Sequence, residues 1–281
     1  MTYDEMTAVR VGELTFDVRT LGADDGDPIV LLHGFPENSL SWSAVAPLLA
    51  DAGLRVIAPD QRGYSPGARP PGVESYTTDV LADDVAALAD ALGLDTFHLV
   101  GHDWGAAVAW VTAVRHRDRL RTLTAVSVPH LAAYGAALQS DPDQQARGSY
   151  IGLLRQAGKA EKLLLDADAG RLRAMYQDHV PPAQVDSYVA QLSEPGALTA
   201  ALSWYRAMTS DLDSLPPVTV PTTFVWSDED QAIGRAGAER CGDYVDADYR
   251  FVELAGISHW IPEQAPTSLA EAVLDRTVGR P

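Results

Sequence analysis

The residues with the clearest capacity for chemistry surround Asp103, in the segment Gly101-His102-Asp103-Trp104-Gly105. The apolar run 97–100 before this segment predicts a buried strand, and the run 106–111 after it predicts a buried helix. The chain must turn sharply between them, and the two glycines flank Asp103 at the spacing of a nucleophile elbow. A carboxylate raised on such a turn can attack a saturated carbon and become an alkyl ester. We therefore predict that Asp103 is a nucleophile.

A stable ester on Asp103 requires a second step, in which a base activates water to cleave it. Histidine is the natural base, and the chain has seven histidines. His259 follows the last predicted strand, 249–254, in a loop that could carry it over the sheet toward Asp103. We predict that His259 is the base.

A histidine base is oriented by a carboxylate that also stabilises the imidazolium. Asp228, Glu229 and Asp230 follow the predicted strand 224–226, and a hydrated acidic turn is the alternative interpretation for at least two of them. We favour Asp230 as the acid and keep Asp228 as the alternative. His98, His102 and Asp103 are close in sequence, but a strand followed by a sharp turn does not bring them together as metal ligands, so no metal site is predicted.

Cleavage of the ester places negative charge on a carboxyl oxygen of Asp103, which backbone amides must stabilise. The amides of Phe35 and Trp104 are the predicted donors of this oxyanion hole. Pro36 has no N–H group, so the loop Gly34-Phe35-Pro36 has few other amides to offer.

The order of apolar runs predicts the elements that position these residues. An edge hairpin over 9–20 precedes alternating strands and helices, a pattern typical of a mostly parallel sheet with helices on both faces. Functional loops collect beyond the carboxyl ends of such strands. The predicted strands after the hairpin are 28–32, 54–58, 97–100, 120–128, 221–226 and 249–254, which gives eight strands in all. The predicted fold class is therefore α/β.

Residues 130–215 interrupt the alternation, since they contain helical segments and no β-rich run. The helical segments predicted there are 150–154, 161–165, 171–176 and 197–208. We interpret 130–215 as an inserted helical cap between two parts of one core domain, 1–129 and 216–281.

Composition limits the partners. The chain has 281 residues, 46% of them hydrophobic, and carries a formal net charge of −18 from 21 basic and 39 acidic residues. Such acidity argues against binding to nucleic acid or to an anionic membrane. Cys241 is the single cysteine, and no basic and apolar leader is apparent, so we expect a cytoplasmic protein. A homodimer is compatible with these observations.

The motifs resemble those of the α/β-hydrolase superfamily, and within it the epoxide hydrolases and the related haloalkane dehalogenases. The resemblance spans about 28–266, and the matching segments are His33-Gly34-Phe35-Pro36, Asp60-Gln61-Arg62-Gly63, Gly101 to Gly105 and Ser258-His259-Trp260. It implies the α/β-hydrolase fold with a cap, no cofactor, and Asp230 as the acid.

The resemblance also implies two cap tyrosines that donate protons to the alkoxide of an opened epoxide, a step that contributes about 10² to 10⁴-fold. Tyr205, in Ser203-Trp204-Tyr205-Arg206, and Tyr150 match these positions, and Trp204 is expected in the substrate pocket with Phe35 and Trp104. The other tyrosines of the cap, Tyr134, Tyr176 and Tyr188, are expected to pack in its core.

Three functions remain open at this point. An epoxide hydrolase that takes a small epoxide and water, and releases a vicinal diol, is the leading hypothesis. A haloalkane dehalogenase is the alternative enzyme, in which Trp104 would donate to the halide, although Phe35 stands where many dehalogenases have Asn. A binder of small ligands without turnover is the third, because one fold supports many functions.

Overall fold

The alternating pattern of the sequence forms an eight-stranded sheet in the computed structural model of the protein, which describes residue 3, residues 5–209 and residues 214–278. The strands lie in the order β1-β2-β4-β3-β5-β6-β7-β8. Their bounds are β1 Met6–Val11, β2 Leu14–Leu21, β3 Asp27–Leu32, β4 Leu54–Pro59, β5 Phe97–His102, β6 Leu120–Val126, β7 Thr222–Ser227 and β8 Tyr249–Leu254. The predicted α/β fold is confirmed.

Pairing in the sheet is mostly parallel. β2 runs antiparallel to both of its neighbours, β1 and β4, and the pairs from β4 through β8 are parallel. The sequence order of the strands reverses at β3, which lies between β4 and β5. Crevices at such a reversal, beyond the carboxyl ends of the strands, are where open α/β sheets bind ligands. The loop after β3 and the turn after β5 both open there.

Helices cover both faces of the sheet. They are α1 Ala46–Asp51, α2 Thr78–Ala91, α3 Trp104–Arg115, α4 Leu131–Ser140, α5 Pro142–Arg147, α6 Ile151–Leu154, α7 Lys159–Ala174, α8 Pro182–Leu192, α9 Ala197–Ala207, α10 Arg235–Glu239, α11 Ile261–Gln264 and α12 Pro266–Thr277. α2 and α3 pack on one face, and α1 and α12 on the other. Two apolar cores result, one on each side of the sheet. No helix in the described part of the chain is both long enough and apolar enough to cross a membrane.

Helices α4 to α9 all lie between β6 and β7, in the segment predicted to be helical. α7 is broken at Asp166–Ala169, where three consecutive residues have positive φ, which agrees with two short predicted segments on either side. α4, α5 and α8 were not predicted. α4 starts at a histidine, His130, whose ring nitrogen accepts from the amide of Ala132 in place of the usual capping residues. The predicted cap boundary at 215 lies close to residues 210–213, which are outside the described residues.

Candidate active site

Asp103 stands at a sharp turn between β5 and α3. Its φ of 51° and ψ of −120° are rare for a residue with a side chain, and a turn of this kind raises the side chain above the sheet. A Cβ on Gly101 would overlap the backbone of Gly105, and one on Gly105 would overlap the backbone of Leu32. Both flanking glycines are therefore required by close backbone approach, which is the physical reason for the spacing seen in the sequence.

The carboxylate of Asp103 has two close partners. The amide of Phe35 donates to its Oδ1 at 2.8 Å, and Nε2 of His259 lies 3.4 Å from its Oδ2. Burial acts to raise the pKa of Asp103, but the hydrogen bond and charge of His259, with smaller contributions from His102 and the Phe35 amide, outweigh it and lower the pKa below its ordinary value. The carboxylate is therefore held in its ionised, nucleophilic form.

Trp104, the other predicted amide donor, occupies the first position of α3. Its N–H is one of the amides at a helix start that have no partner within the helix. Among the described contacts it makes no hydrogen bond to Asp103, whereas the Phe35 amide does. The role of the Trp104 amide in an oxyanion hole stays a prediction about the reaction intermediate.

His259 lies between two carboxylates, one of which is Asp230. The distance from Nδ1 of His259 to Oδ2 of Asp230 is 2.8 Å. Burial acts to lower the pKa of His259, but the charge of Asp230 and the contacts with Asp230 and Asp103 raise it well above its ordinary value. Burial acts to raise the pKa of Asp230, and the charge and hydrogen bond of His259 outweigh it and lower the pKa. The structure thus brings the predicted nucleophile, base and acid together.

The structure distinguishes Asp230 from its alternative, Asp228. The side chain of Asp230 is fully buried and its Oδ1 accepts from the amides of Ala232 and Ile233 at 2.8 and 2.9 Å. Asp228 is exposed and accepts from the amide of Gly256 instead. Of the two, Asp230 is the one in contact with His259.

Two residues that were not predicted from the sequence support the turn that carries Asp230. Gln144 of α5, which is fully buried, donates to the carbonyl of Ala232 at 2.9 Å and accepts from the amide of Gly234 at 2.8 Å. Arg147, also of α5, donates to the backbone carbonyl of Asp230. The turn of Asp230, the predicted acid, is therefore held partly by a helix from the segment between β6 and β7.

His102 contacts the backbone of His259. Its Nε2–H donates to the backbone carbonyl of His259 at 2.9 Å, and its Nδ1 lies 3.1 Å from Oε2 of Glu37. A second buried carboxyl, Glu263, lies beside Glu37, and burial together with the charge of Glu37 raises the pKa of Glu263 well above its ordinary value. His98 contacts Thr122 and Asp27 elsewhere in the sheet, so it does not converge with His102.

A cavity of about 540 Å³ opens above Asp103. Both predicted phenols, Tyr150 and Tyr205, line this cavity, and their ring centroids are 6.4 Å apart. Burial is the main cause that raises the pKa of each phenol well above its ordinary value, and nearby Asp103 adds to it in both cases. Both tyrosines are therefore protonated throughout the neutral range, the form that can donate a proton.

The walls of the cavity differ from the sequence-based expectation at two positions. Phe35 is not among the described residues that line it; its ring packs edge-on against Tyr205 with centroids 5.3 Å apart. Tyr134, expected to pack in the core, does line the cavity, because α4 passes beside the site. Tyr176 and Tyr188 are buried elsewhere, and the hydroxyl of Tyr176 donates to the carbonyl of Pro36 at 2.6 Å.

Trp104 and Trp204, both predicted for a substrate pocket, line the cavity. Their rings meet edge to face with centroids 5.8 Å apart, and Trp104 makes the same kind of contact with Tyr205 at 5.0 Å. The indole N–H of Trp204 donates to the carbonyl of Arg62 at 3.0 Å. This hydrogen bond fixes α9, and with it Tyr205, to the turn after β4.

Comparison with known proteins gives consistent matches over nearly the whole chain. A family model described as the alpha/beta hydrolase fold matches residues 27–266. The AB hydrolase superfamily protein YfhM of Bacillus subtilis is 35% identical over 95% of this chain and 96% of its own length. Epoxide hydrolase A of Mycobacterium tuberculosis is 31% identical over 91% of this chain and 92% of its own. A solved structure described among novel epoxide hydrolases in metagenomes from hot environments is 29% identical, covers 100% of both chains and superposes with a TM-score of 0.88.

Proposed function

We propose, since this chain belongs to the α/β-hydrolase fold family and is a hydrolase, that its reaction is the opening of an epoxide to a vicinal diol through an ester on Asp103. The observation that carries the proposal is the shared cavity: a buried, ionised carboxylate faces two protonated phenols, Tyr150 and Tyr205, across one space. An epoxide needs a nucleophile at its carbon and a proton at its oxygen at the same time, and this arrangement supplies both.

The first step is attack on an epoxide carbon by Oδ2 of Asp103. The Phe35 amide holds Oδ1, which leaves Oδ2 as the attacking oxygen. The bond between that carbon and the epoxide oxygen breaks as the new carbon–oxygen bond forms. A phenol of Tyr150 or Tyr205 gives its proton to the departing oxygen, so a hydroxyl rather than a strongly basic alkoxide is produced.

The second step is hydrolysis of the ester. His259 takes a proton from water, and the resulting hydroxide attacks the carboxyl carbon of Asp103. The Phe35 amide stabilises the charge that develops on Oδ1, and such a donor is typically worth roughly 3 to 4 kcal/mol. The ester bond then breaks, the leaving oxygen takes the proton from His259, and the carboxyl proton left on Asp103 restores the tyrosine.

Helices α4 to α9 are proposed to act as the cap of this site, as 130–215 was predicted to do. The segment from α4 to α9 contributes Tyr134, Tyr150, Trp204 and Tyr205 to the cavity, while the turn after β5 contributes Asp103, which His259 contacts. Removal of water from the reacting groups strengthens the electrostatic contribution of every nearby donor. The proposed roles of the site residues therefore depend on these helices as much as on the sheet.

One assay distinguishes the proposed function from the two other candidate functions. Purified protein is incubated with an aryl epoxide and with a bromoalkane, and diol and bromide are measured separately. Diol without bromide supports the proposal, bromide without diol contradicts it in favour of dehalogenation, and ligand-induced thermal stabilisation without either product indicates a binder.

The route through Asp103 is tested by a single turnover in water labelled with heavy oxygen, followed by mass analysis of peptides. The proposal predicts label in the peptide that contains Asp103, because water attacks the carbonyl of the enzyme ester. Label in the diol alone would show direct attack by water and would overturn the ester intermediate.

A further inference from the structure

The cavity extends beyond the reacting groups along one face of α3. The lining residues from this helix are Trp104, Ala107, Val111, Val114 and Arg115. Their spacing of three, four, three and one residues places them on a single side of a helix. From Trp104 to Arg115 the helix advances roughly 16 Å at about 1.5 Å per residue. The cavity is therefore long rather than compact.

The wall that α3 gives to this extension is apolar between Trp104 and Arg115. Ala107, Val111 and Val114 line the cavity from α3, and Leu131 and Met208 line it from other elements. No charged residue from the described part of the chain lines the cavity between Asp103 and the outer end at Asp79 and Arg115. Each methylene of a substrate buried here would contribute favourably, by about 0.8 kcal/mol if fully removed from water. The space suits an extended hydrocarbon chain.

The outer end of the cavity reaches the surface at Arg115 and Asp79, whose side chains are both exposed. Arg115 is already neutralised: Nη1 lies 3.2 Å from Oδ2 of Asp79, and Nη2 lies 3.0 Å from Oδ2 of Asp83. Oδ1 of Asp83 also lies 2.8 Å from Nε2 of His116. Because two carboxylates surround the single arginine in a chain of net charge −18, this end offers no excess positive charge to a substrate carboxylate.

We propose that the substrate is an elongated, uncharged epoxide whose apolar chain lies along the Ala107, Val111 and Val114 face of α3, with these residues setting the chain length and the Asp79–Arg115–Asp83 cluster rejecting a terminal carboxylate. This inference rests on the proposed epoxide hydrolysis and adds the substrate class to it.

Chain length is tested with epoxybutane and epoxydodecane, both terminal epoxides. The wild-type enzyme is expected to have kcat/KM at least about tenfold higher for epoxydodecane, since the longer chain buries more methylenes. Val111→Trp and Val114→Trp should each lower kcat/KM for epoxydodecane about tenfold and lower kcat/KM for epoxybutane by a clearly smaller factor. Val114 is half-buried, so its variant tolerates the larger side chain if Val111→Trp does not fold. Val278→Trp, at an exposed site outside the cavity, is the matched control and should change neither.

Charge selection is tested with epoxyundecanoic acid, which carries its epoxide at the end opposite the carboxylate. The wild type should prefer epoxydodecane to this acid. The double variant Asp79→Asn with Asp83→Asn should raise the ratio of kcat/KM for the acid to kcat/KM for epoxydodecane by about fivefold or more, since it frees Arg115. A wild-type enzyme that favours epoxybutane or the acid, or tryptophan variants that treat both chain lengths alike, would overturn the inference while diol production still supports the proposed function. Absence of diol from every epoxide would overturn both.

Discussion

Nε2 of His259 lies 3.4 Å from Oδ2 of Asp103, so the imidazole is beside the carboxylate but only weakly bonded to it. Burial acts to lower the pKa of His259, but the charges of Asp230 and Asp103 outweigh it and raise the pKa above its ordinary value. In the proposed reaction Asp103 loses its charge when it becomes an ester, which lowers the pKa of His259. Under that proposal a larger fraction of His259 is neutral in the intermediate, at the step that requires a base.

The variant His259→Gln should accumulate the alkylated enzyme. Attack by Asp103 does not need the base, whereas hydrolysis of the ester does, so hydrolysis should slow by about 10² to 10⁴-fold. Rapid mixing with an aryl epoxide should give one burst of epoxide loss per enzyme, and intact-protein mass should rise by the mass of the substrate. An unchanged steady-state rate would remove His259 from this role.

The two carboxylates of the β7 loop should respond differently to neutralisation. Asp230→Asn leaves His259 without its buried acceptor, so kcat should fall by up to about 10⁴-fold. Asp228→Asn makes the same chemical change on an exposed side chain that contacts Gly256 and not His259, so kcat should be nearly unchanged. If the two variants had equal thermal stability and lost equal amounts of kcat, the negative charge of the loop, and not contact with His259, would determine kcat.

The two half-reactions should differ in pH dependence. The pKa of Asp103 is lowered and the pKa values of Tyr150 and Tyr205 are raised, so the nucleophile stays ionised and the phenols stay protonated on both sides of neutrality. The alkylation rate should therefore be flat there. Ester hydrolysis needs neutral His259, whose pKa is still raised by Asp230, so its rate should fall as the pH drops through that pKa. Stopped-flow and single-turnover rates at several pH values check this, and a flat hydrolysis rate would contradict it.

The two cap phenols should share the proton donation. Tyr150→Phe or Tyr205→Phe should slow alkylation, and the double variant should lose most of the roughly 10² to 10⁴-fold contribution of an acid. Tyr134→Phe is the matched control, since Tyr134 lines the same cavity without being assigned a role in ring opening. A larger loss of alkylation rate for Tyr134→Phe than for Tyr150→Phe would indicate that Tyr134, and not Tyr150, is a proton donor.

The positions of the three candidate catalytic residues were predictable because each follows a recognisable strand. Asp103 comes after β5, Asp230 after β7 and His259 after β8, and parallel strands bring their carboxyl ends to one edge. What surrounds them was not predictable in the same way. Gln144 contacts the turn at Ala232 from a different helix, across 88 residues of sequence, and a glutamine on a short helix carries no periodic signal.

The helices between β6 and β7 also include one position that the sequence indicated and one that it did not. Tyr205 sits in a motif, and its approach to the cavity could be expected. Whether Tyr134 faces the cavity or the core depends on the path of α4. This helix is short and has apolar residues on all sides, so its sequence does not indicate which side faces the cavity. Phe35 shows the converse case, because its backbone amide meets Asp103 while its ring packs against Tyr205. The sequence indicated that Phe35 belongs to the candidate site, but not that its amide and its ring contact different residues.

Gln144→Ala should test the support of the acid. The variant leaves two buried backbone groups of the β7 loop without partners, each worth about 1 to 3 kcal/mol. Thermal denaturation should move down by several degrees, at roughly 2 to 4 °C per kcal/mol for a domain of this size. An unchanged transition would show that the loop satisfies these groups in another way.

The attachment of the Asp230 turn to α5 also limits how this protein can be redesigned. A chimaera that received the helices between β6 and β7 from a relative would keep the turn of Asp230 in place only if the incoming helix supplied the contacts that Gln144 and Arg147 make here. Grafting a new pocket onto this scaffold therefore means transplanting the loop after β7 together with the helices that hold it.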